Sequence, residues 1–225
     1  MNLGSVKSDQ TGRMRPFYYF SWSGWRLLFA IYFRTRVFNR DCVPLVGPVI
    51  LASNHASFLD PFLVGSSVPR EINYLARDDL FTVPVLGWIL RRWHSVPVNR
   101  EGGGAKGLKA ILDRLLDGGA IILFPEGTRT RDGKLQPARS GLGLTVIKSA
   151  APVVPVRVFG TFEAFNRFMR VPRPLRVSVK FGQPMMFERL REEAKSCSKE
   201  RLKEIYQQVA DETMAAIAQL EPKSN

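Results

Sequence analysis

PVILASNHASFLDP, Pro48 to Pro61, is the stretch on which the reading of this chain turns. Val49 to Ser53 has the length and apolar content of a buried strand, and Pro61 to Ser66 reads as a short helix. Between them stand His55, one of only 2 histidines in the chain, and Asp60. Positions five apart on an α-helix point about 140° away from each other, so these two side chains can meet only through a loop.

Working outward, strands and helices alternate. Ile72 to Ala76, Ser95 to Val98, Ala120 to Phe124, Val153 to Phe159 and Leu175 to Phe181 read as strands. Val83 to Trp93, Ala105 to Leu116, Gly141 to Ala150 and Lys199 to Leu220 read as helices. Leu108, Ile111, Leu112, Leu115 and Leu116 fall on one helical face before Gly118-Gly119 ends the pattern. Leu202, Ile205, Tyr206, Val209, Thr213, Ile217 and Leu220 form a second stripe, read as core packing. The alternation predicts an α/β domain with a largely parallel, mixed sheet flanked by helices.

A chain of 225 residues with 45% hydrophobic content builds a real core, which excludes a disordered chain. The formal charge of +13 implies an anionic partner: nucleic acid, an acidic membrane surface or a phosphorylated substrate. No nucleic-acid-binding motif is present, so no nucleic acid is expected as a partner. Cys42 and Cys197 form neither a disulfide framework nor a metal cluster, which suits a reducing, cytosol-facing domain.

The first forty residues carry Lys7, Arg13, Arg15, Arg26, Arg34, Arg36 and Arg40 against a single acid, Asp9. They enclose the aromatic run FYYFSWSGWRLLFAIYF, Phe17 to Phe33. As a helix this run spans only about 25 Å with Arg26 in its middle, short for a crossing. Tyr and Trp favour the headgroup boundary and arginines favour anionic lipid. The expectation is an interfacial membrane helix in a segment 1–40, a linker around Arg34 to Leu45, and one domain over 41–225. The competing reading has the helix packing on the domain's own core.

Parallel strands present their carboxyl ends on one edge, where ligands of such sheets bind. His55, Arg100, and Glu126 with Arg129 each follow a predicted strand, so they converge if those strands are parallel neighbours. Asp60 is read either as an N-cap before Pro61 or as the carboxylate that fixes the tautomer of His55. In the second case the other ring nitrogen takes a proton from an attacking hydroxyl. Ser57 lacks a G-x-S-x-G setting, so a substrate hydroxyl is the better nucleophile. His55 and Asp60 are a thin ligand set, and no metal is expected. FPEGTRTRDG, Phe124 to Gly133, offers the turn amides of Gly127 and Thr128 and the forked cation of Arg129 to a phosphate, with Glu126 as an acceptor. The bland alternative is a charged surface turn.

NHASFLD and FPEGTRT closely resemble the first and third signature blocks of the glycerolipid acyltransferases related to 1-acyl-sn-glycerol-3-phosphate acyltransferase, N-H-x-x-x-x-D and F-P-E-G-T-R-S. APVVPVRVFGT, Ala151 to Thr161, resembles the fourth block. The likeness runs from about Pro44 to Phe181. It implies that His55 and Asp60 are a catalytic dyad that activates the free hydroxyl of lysophosphatidic acid for attack on an acyl thioester. The thioester is carried by coenzyme A or acyl carrier protein as co-substrate, with no other cofactor, and phosphatidic acid is the product. Glu126, Gly127, Thr128 and Arg129 would hold the glycerol phosphate. SVPVNRE offers Arg100 but departs from the second block upstream, and PARSG supplies Arg139 where relatives often carry a basic pair. The aromatic helix, with its basic residues on the cytoplasmic side, gives the expectation of a monotopic or peripheral enzyme on the cytoplasmic face of the inner membrane. Another lysophospholipid or a lyso-ornithine lipid as acceptor, and a non-catalytic anionic-lipid-binding module, stand as alternatives.

Overall fold

The chain, seen in a computed structural model that describes residues 14–98 and 105–222, opens with helix α1, Pro16–Ile31. Proline suits that first turn because its missing N–H has no helical partner to lose. Strand β1, Arg36–Phe38, follows, then β2, Val49–Ser53, and α2, Asp60–Ser67. Next come β3, Ile72–Asn73, and β4, Leu75–Arg77, α3, Pro84–Arg92, β5, Val96–Val98, and α4, Ala105–Leu116. The second half contributes β6, Ala120–Leu123, α5, Gly141–Ser149, and β7, Val153–Phe159. It closes with α6, Thr161–Phe165, β8, Ser178–Phe181, α7, Glu188–Glu193, and α8, Lys199–Gln219.

Six strands form the main sheet in the order β1-β8-β7-β2-β6-β3. Every pairing is parallel except β7 with β8. The expected fold class therefore holds: a mostly parallel mixed sheet flanked by helices. All five residues of β2 are buried, as a strand covered on both faces requires. Alternate residues serve opposite layers. Val49 and Leu51 join Phe29, Phe33, Leu63 and Ile122 under α1 and α2. Ile50 and Ala52 join Leu115, Val146, Ile205 and Ile217 under α4, α5 and α8.

Three features differ from the sequence reading. The strand expected over Ile72 to Ala76 is cut at Tyr74: β3 pairs with β6, whereas β4 pairs with β5 in a separate two-stranded sheet. The change of partner falls at Tyr74, whose carbonyl accepts the Val96 N–H of β5 at 2.7 Å, while its hydroxyl lies against Gly65 of α2, where a Cβ would sit 1.9 Å from it, and 3.2 Å from the hydroxyl of Tyr18. Secondly, the region around Arg34 to Leu45 is not merely a linker, because β1 within it forms the sheet edge beside β8. Thirdly, β8 begins at Ser178 rather than near Leu175, since Val177 donates instead to the carbonyl of Phe33. Helix α1 buries Tyr18 and Phe29 while leaving Tyr19, Phe20, Leu27 and Ile31 exposed. No helix among the described residues is long and apolar enough to cross a membrane.

Helices α5 and α8 touch through Gly143, where a Cβ would meet the Tyr206 carbonyl oxygen at 1.9 Å. Backbone cannot yield as a flexible side chain does. Gly143→Ala should cost about 1–3 kcal/mol of stability, the usual range for overpacking; denaturant unfolding with an unchanged midpoint would contradict this contact.

Candidate functional site

The strands β2 and β6 lie side by side in register, with Ala52 opposite Leu123, so the loops that follow them leave the same edge together. Asn54 pins the first loop to β7. Its side-chain amide donates to the Val158 carbonyl at 3.3 Å, and its carbonyl accepts the Val158 N–H at 2.8 Å. The second loop binds the first twice: Thr130 N–H donates to the carbonyl of His55 at 2.9 Å, and His55 N–H donates to Glu126 Oε1 at 3.0 Å.

Within this frame His55 Nδ1 lies 2.9 Å from Asp60 Oδ2. The same oxygen accepts the backbone N–H groups of Ala56 at 2.6 Å and Ser57 at 2.7 Å. Asp60 is wholly buried, and a buried carboxylate needs such donors to offset its lost hydration. It does not cap its helix, whose N-cap is Leu59 with no side-chain bond. With Nδ1–H directed at Asp60, Nε2 carries the lone pair, the arrangement a general base requires. The ring stacks on Phe124, centroids 3.9 Å apart and planes at 18°, and its side chain keeps 17% of its surface exposed.

Glu126 is almost wholly buried, and its Oε2 has no hydrogen-bond partner among the described residues. Burial, reinforced by the nearby charge of Asp60, pushes its pKa up to about 7 against the pull of the His55 and Gln136 N–H groups. Its observed contact is thus with the backbone of His55. Arg129 lies over the ring of Phe58, 3.4 Å from the centroid, which fixes a cation beside the His55 loop. Gly127 adopts φ 71° at the turn, where glycine has no steric penalty. A Cβ there would sit 2.9 Å from Cδ and Nε of Arg139, so Arg139 lies folded across it. Thr128 and Arg139 are exposed at this rim.

His55, Asp60, Glu126, Gly127, Thr128, Arg129 and Arg139 are therefore assembled at one edge. Arg100 lies outside the described residues. The strand before it, β5, is absent from the main sheet, which corrects the expectation that three neighbouring parallel strands deliver the site; two do. Phe124, Phe58 and Asn54 were assigned no role from sequence, although each stands inside a quoted motif. An aromatic residue adjoining each polar motif was the available signal.

The family model described as Acyltransferase matches residues 34–159. Among curated proteins, the chloroplastic 1-acyl-sn-glycerol-3-phosphate acyltransferase BAT2 of Brassica napus is 33% identical over 116 residues, 51% of this chain and 33% of that protein. The 1-acyl-sn-glycerol-3-phosphate acyltransferase of Bacillus subtilis is 29% identical over 126 residues, 56% of this chain and 62% of that protein. The matches thus span less than two thirds of these relatives. The crystal structure of the 1-acyl-sn-glycerophosphate (LPA) acyltransferase PlsC from Thermotoga maritima superposes with a TM-score of 0.68 at 21% identity, covering 93% of this chain and 86% of that one. That likeness shares the fold.

Because folding raises the Glu126 pKa from 4.5 to about 7, its contribution to stability is complete below about pH 4.5 and is lost as pH rises through about 7. Glu126→Gln keeps an acceptor for the His55 N–H and cannot ionise. The stability of the unsubstituted protein relative to this variant should therefore decline between these pH values and level off above them. Parallel denaturation curves across the range would refute the raised pKa.

Proposed function

The chain belongs to the acyltransferase family, and from that premise we propose that it moves a fatty acyl group from an acyl thioester to the free hydroxyl of lysophosphatidic acid, giving phosphatidic acid. The 2.9 Å contact of His55 with Asp60, set beside Arg129, is the observation that carries this reading. Asp60 accepts the Nδ1 proton and holds the ring. Nε2 removes the hydroxyl proton as the acceptor oxygen bonds to the thioester carbonyl carbon. The tetrahedral intermediate then expels sulfur, and the proton passes from Nε2 to the departing thiolate, so the products are phosphatidic acid and a free thiol of coenzyme A or acyl carrier protein.

Arg129 and the turn amide of Thr128 serve the acceptor's phosphate, because a forked guanidinium and a backbone N–H match its oxygens; the Gly127 N–H is already given to the Phe124 carbonyl at 3.0 Å. Arg139 adds positive charge at the rim. Arg100 is assigned to acceptor binding on the sequence resemblance alone. Glu126 acts as a positioning residue, its carboxyl holding the His55 backbone. The half of α1 that exposes Tyr19, Phe20, Leu27 and Ile31 seats in the headgroup boundary of an anionic membrane, on the cytoplasmic face of the inner membrane. Arg26 over Trp22, 5.2 Å from the ring centroid, suits that boundary.

Purified protein given lysophosphatidic acid with acyl-coenzyme A or acyl carrier protein should form phosphatidic acid. Lysophosphatidylcholine and a lyso-ornithine lipid should be poorer acceptors. His55→Ala should lower turnover by about 10²-fold to 10⁴-fold, the usual share of general-base catalysis, and undiminished transfer would remove the dyad assignment. In the same assay Arg129→Ala should raise KM for lysophosphatidic acid with little change in kcat; an unaltered KM would remove its phosphate role.

A further inference from the structure

Between α6 and β8, residues 166–176 contain Arg167, Arg170, Arg173 and Arg176 and no acidic residue. All four arginines are exposed. So are three large apolar side chains: Phe168 at 70%, Val171 at 71% and Leu175 at 40%. Apolar surface ringed by one sign of charge is the pattern of an interaction site rather than of inert surface.

The loop is held in shape. Asn166 Oδ1 accepts the Phe168 N–H at 3.0 Å, and Arg173 N–H donates to the Ala164 carbonyl at 2.8 Å. Two side chains from the end of α1 fasten it. Tyr32 donates its hydroxyl to the Pro172 carbonyl at 3.0 Å, and Arg34 Nη2 donates to the Pro174 carbonyl at 3.0 Å. The loop therefore stands beside the end of α1 where Ile31 and Leu28 are exposed. Its other root reaches the candidate site. The carbonyl of Phe165 accepts the Ser57 hydroxyl at 2.5 Å, and the Phe165 ring lies 5.6 Å from that of Phe58, which Arg129 covers.

We propose that residues 166–176 are a second membrane-docking limb, with Phe168, Val171 and Leu175 entering the headgroup boundary of an anionic bilayer and the four arginines meeting lipid phosphates. The inference rests on the membrane seating of α1 and deepens it: with α1 and this loop both at the lipid, the candidate site, joined to the loop's root through Phe165 and Phe58, lies beside the surface from which a lysolipid acceptor arrives. An acidic carrier protein would also answer the charge. Three exposed apolar side chains, joined to an aromatic helix that exposes its own, favour the bilayer.

The test uses vesicles of phosphatidylcholine with and without phosphatidylglycerol. Each guanidinium near an anionic surface is worth roughly fivefold in partitioning, so Arg167→Gln with Arg170→Gln should weaken binding to the anionic vesicles about 25-fold at low salt, with the melting temperature unchanged. Phe168→Trp, which leaves the arginines in place, should add, in the difference spectrum against the unsubstituted protein with its 4 tryptophans, blue-shifted emission on anionic vesicles that brominated phosphatidylcholine mixed into them quenches. Undiminished partitioning of the double variant, or an introduced indole that stays in water while the protein is vesicle-bound, overturns the limb and leaves α1 standing. Failure of the unsubstituted protein to bind either vesicle removes both. Loss of turnover confined to acyl carrier protein as donor, with vesicle binding intact, reassigns the loop to a protein partner and overturns the bilayer proposal.

Discussion

Two neighbouring parallel strands that end level with each other are the constraint on which the site depends. In the pairing of β2 with β6, Val49 faces Ala120 and Ala52 faces Leu123, so Asn54 and Phe124 emerge from the sheet together. A slip of one residue would turn every side chain of one strand to the wrong layer. The two-sided core therefore fixes the register, and the register fixes the distance between the motif loops. The loop carrying His55 is then held from both flanks, by Asn54 against β7 and by Glu126 and Thr130 from beyond β6.

Asp60 sets the shape of that loop as well as the tautomer of His55. One oxygen takes three donors, while Oδ1 is buried with no partner among the described residues. A carboxylate satisfied on one side only is poorly compensated for a structural role. Two of the three donors are backbone N–H groups of the turn itself, and stranding each without an acceptor would cost about 1–3 kcal/mol. The carboxylate thus curls 55–60 into the conformation that brings the imidazole back to it.

Much of this was legible because it is local. Strand and helix periods, the Gly118-Gly119 stop, and the two polar motifs each occupy a few consecutive residues, and the parallel alternation implied a shared edge. Whether Asp60 caps a helix or turns back to His55 was open in the sequence, since both readings suit a carboxylate before proline. What stayed hidden depends on contacts distant in the chain. Nothing around Tyr74 announces that its carbonyl will accept from Val96 rather than continue the main sheet, and so nothing warns that β4 and β5 pair apart from it. The edge strand β1 has three residues and depends on β8, about 140 positions later, for its pairing. Phe124 under the imidazole and Phe58 under Arg129 were visible as residues, but ring stacking has no sequence period to read.

The aromatic run of α1 posed core packing and interface as alternatives, and the structure gives the helix two apolar faces. Trp22 donates its indole N–H to the Val68 carbonyl at 2.9 Å, Trp25 stacks on Phe62 at 4.4 Å, and Phe29 is buried, while Phe20, Leu27 and Ile31 point away from the core with high exposure. A hydrophobic stripe marks one buried face; a helix apolar on both faces loses that contrast, so periodicity alone could not divide the roles. The coupling follows from the packing. Phe62 belongs to the first turn of α2, two residues beyond Asp60, so the helix whose outer face meets the surroundings bears through one stacked ring pair on the segment that carries the Asp60 carboxylate. Rigid seating of α1 and accurate placement of Asp60 are therefore parts of a single packing arrangement.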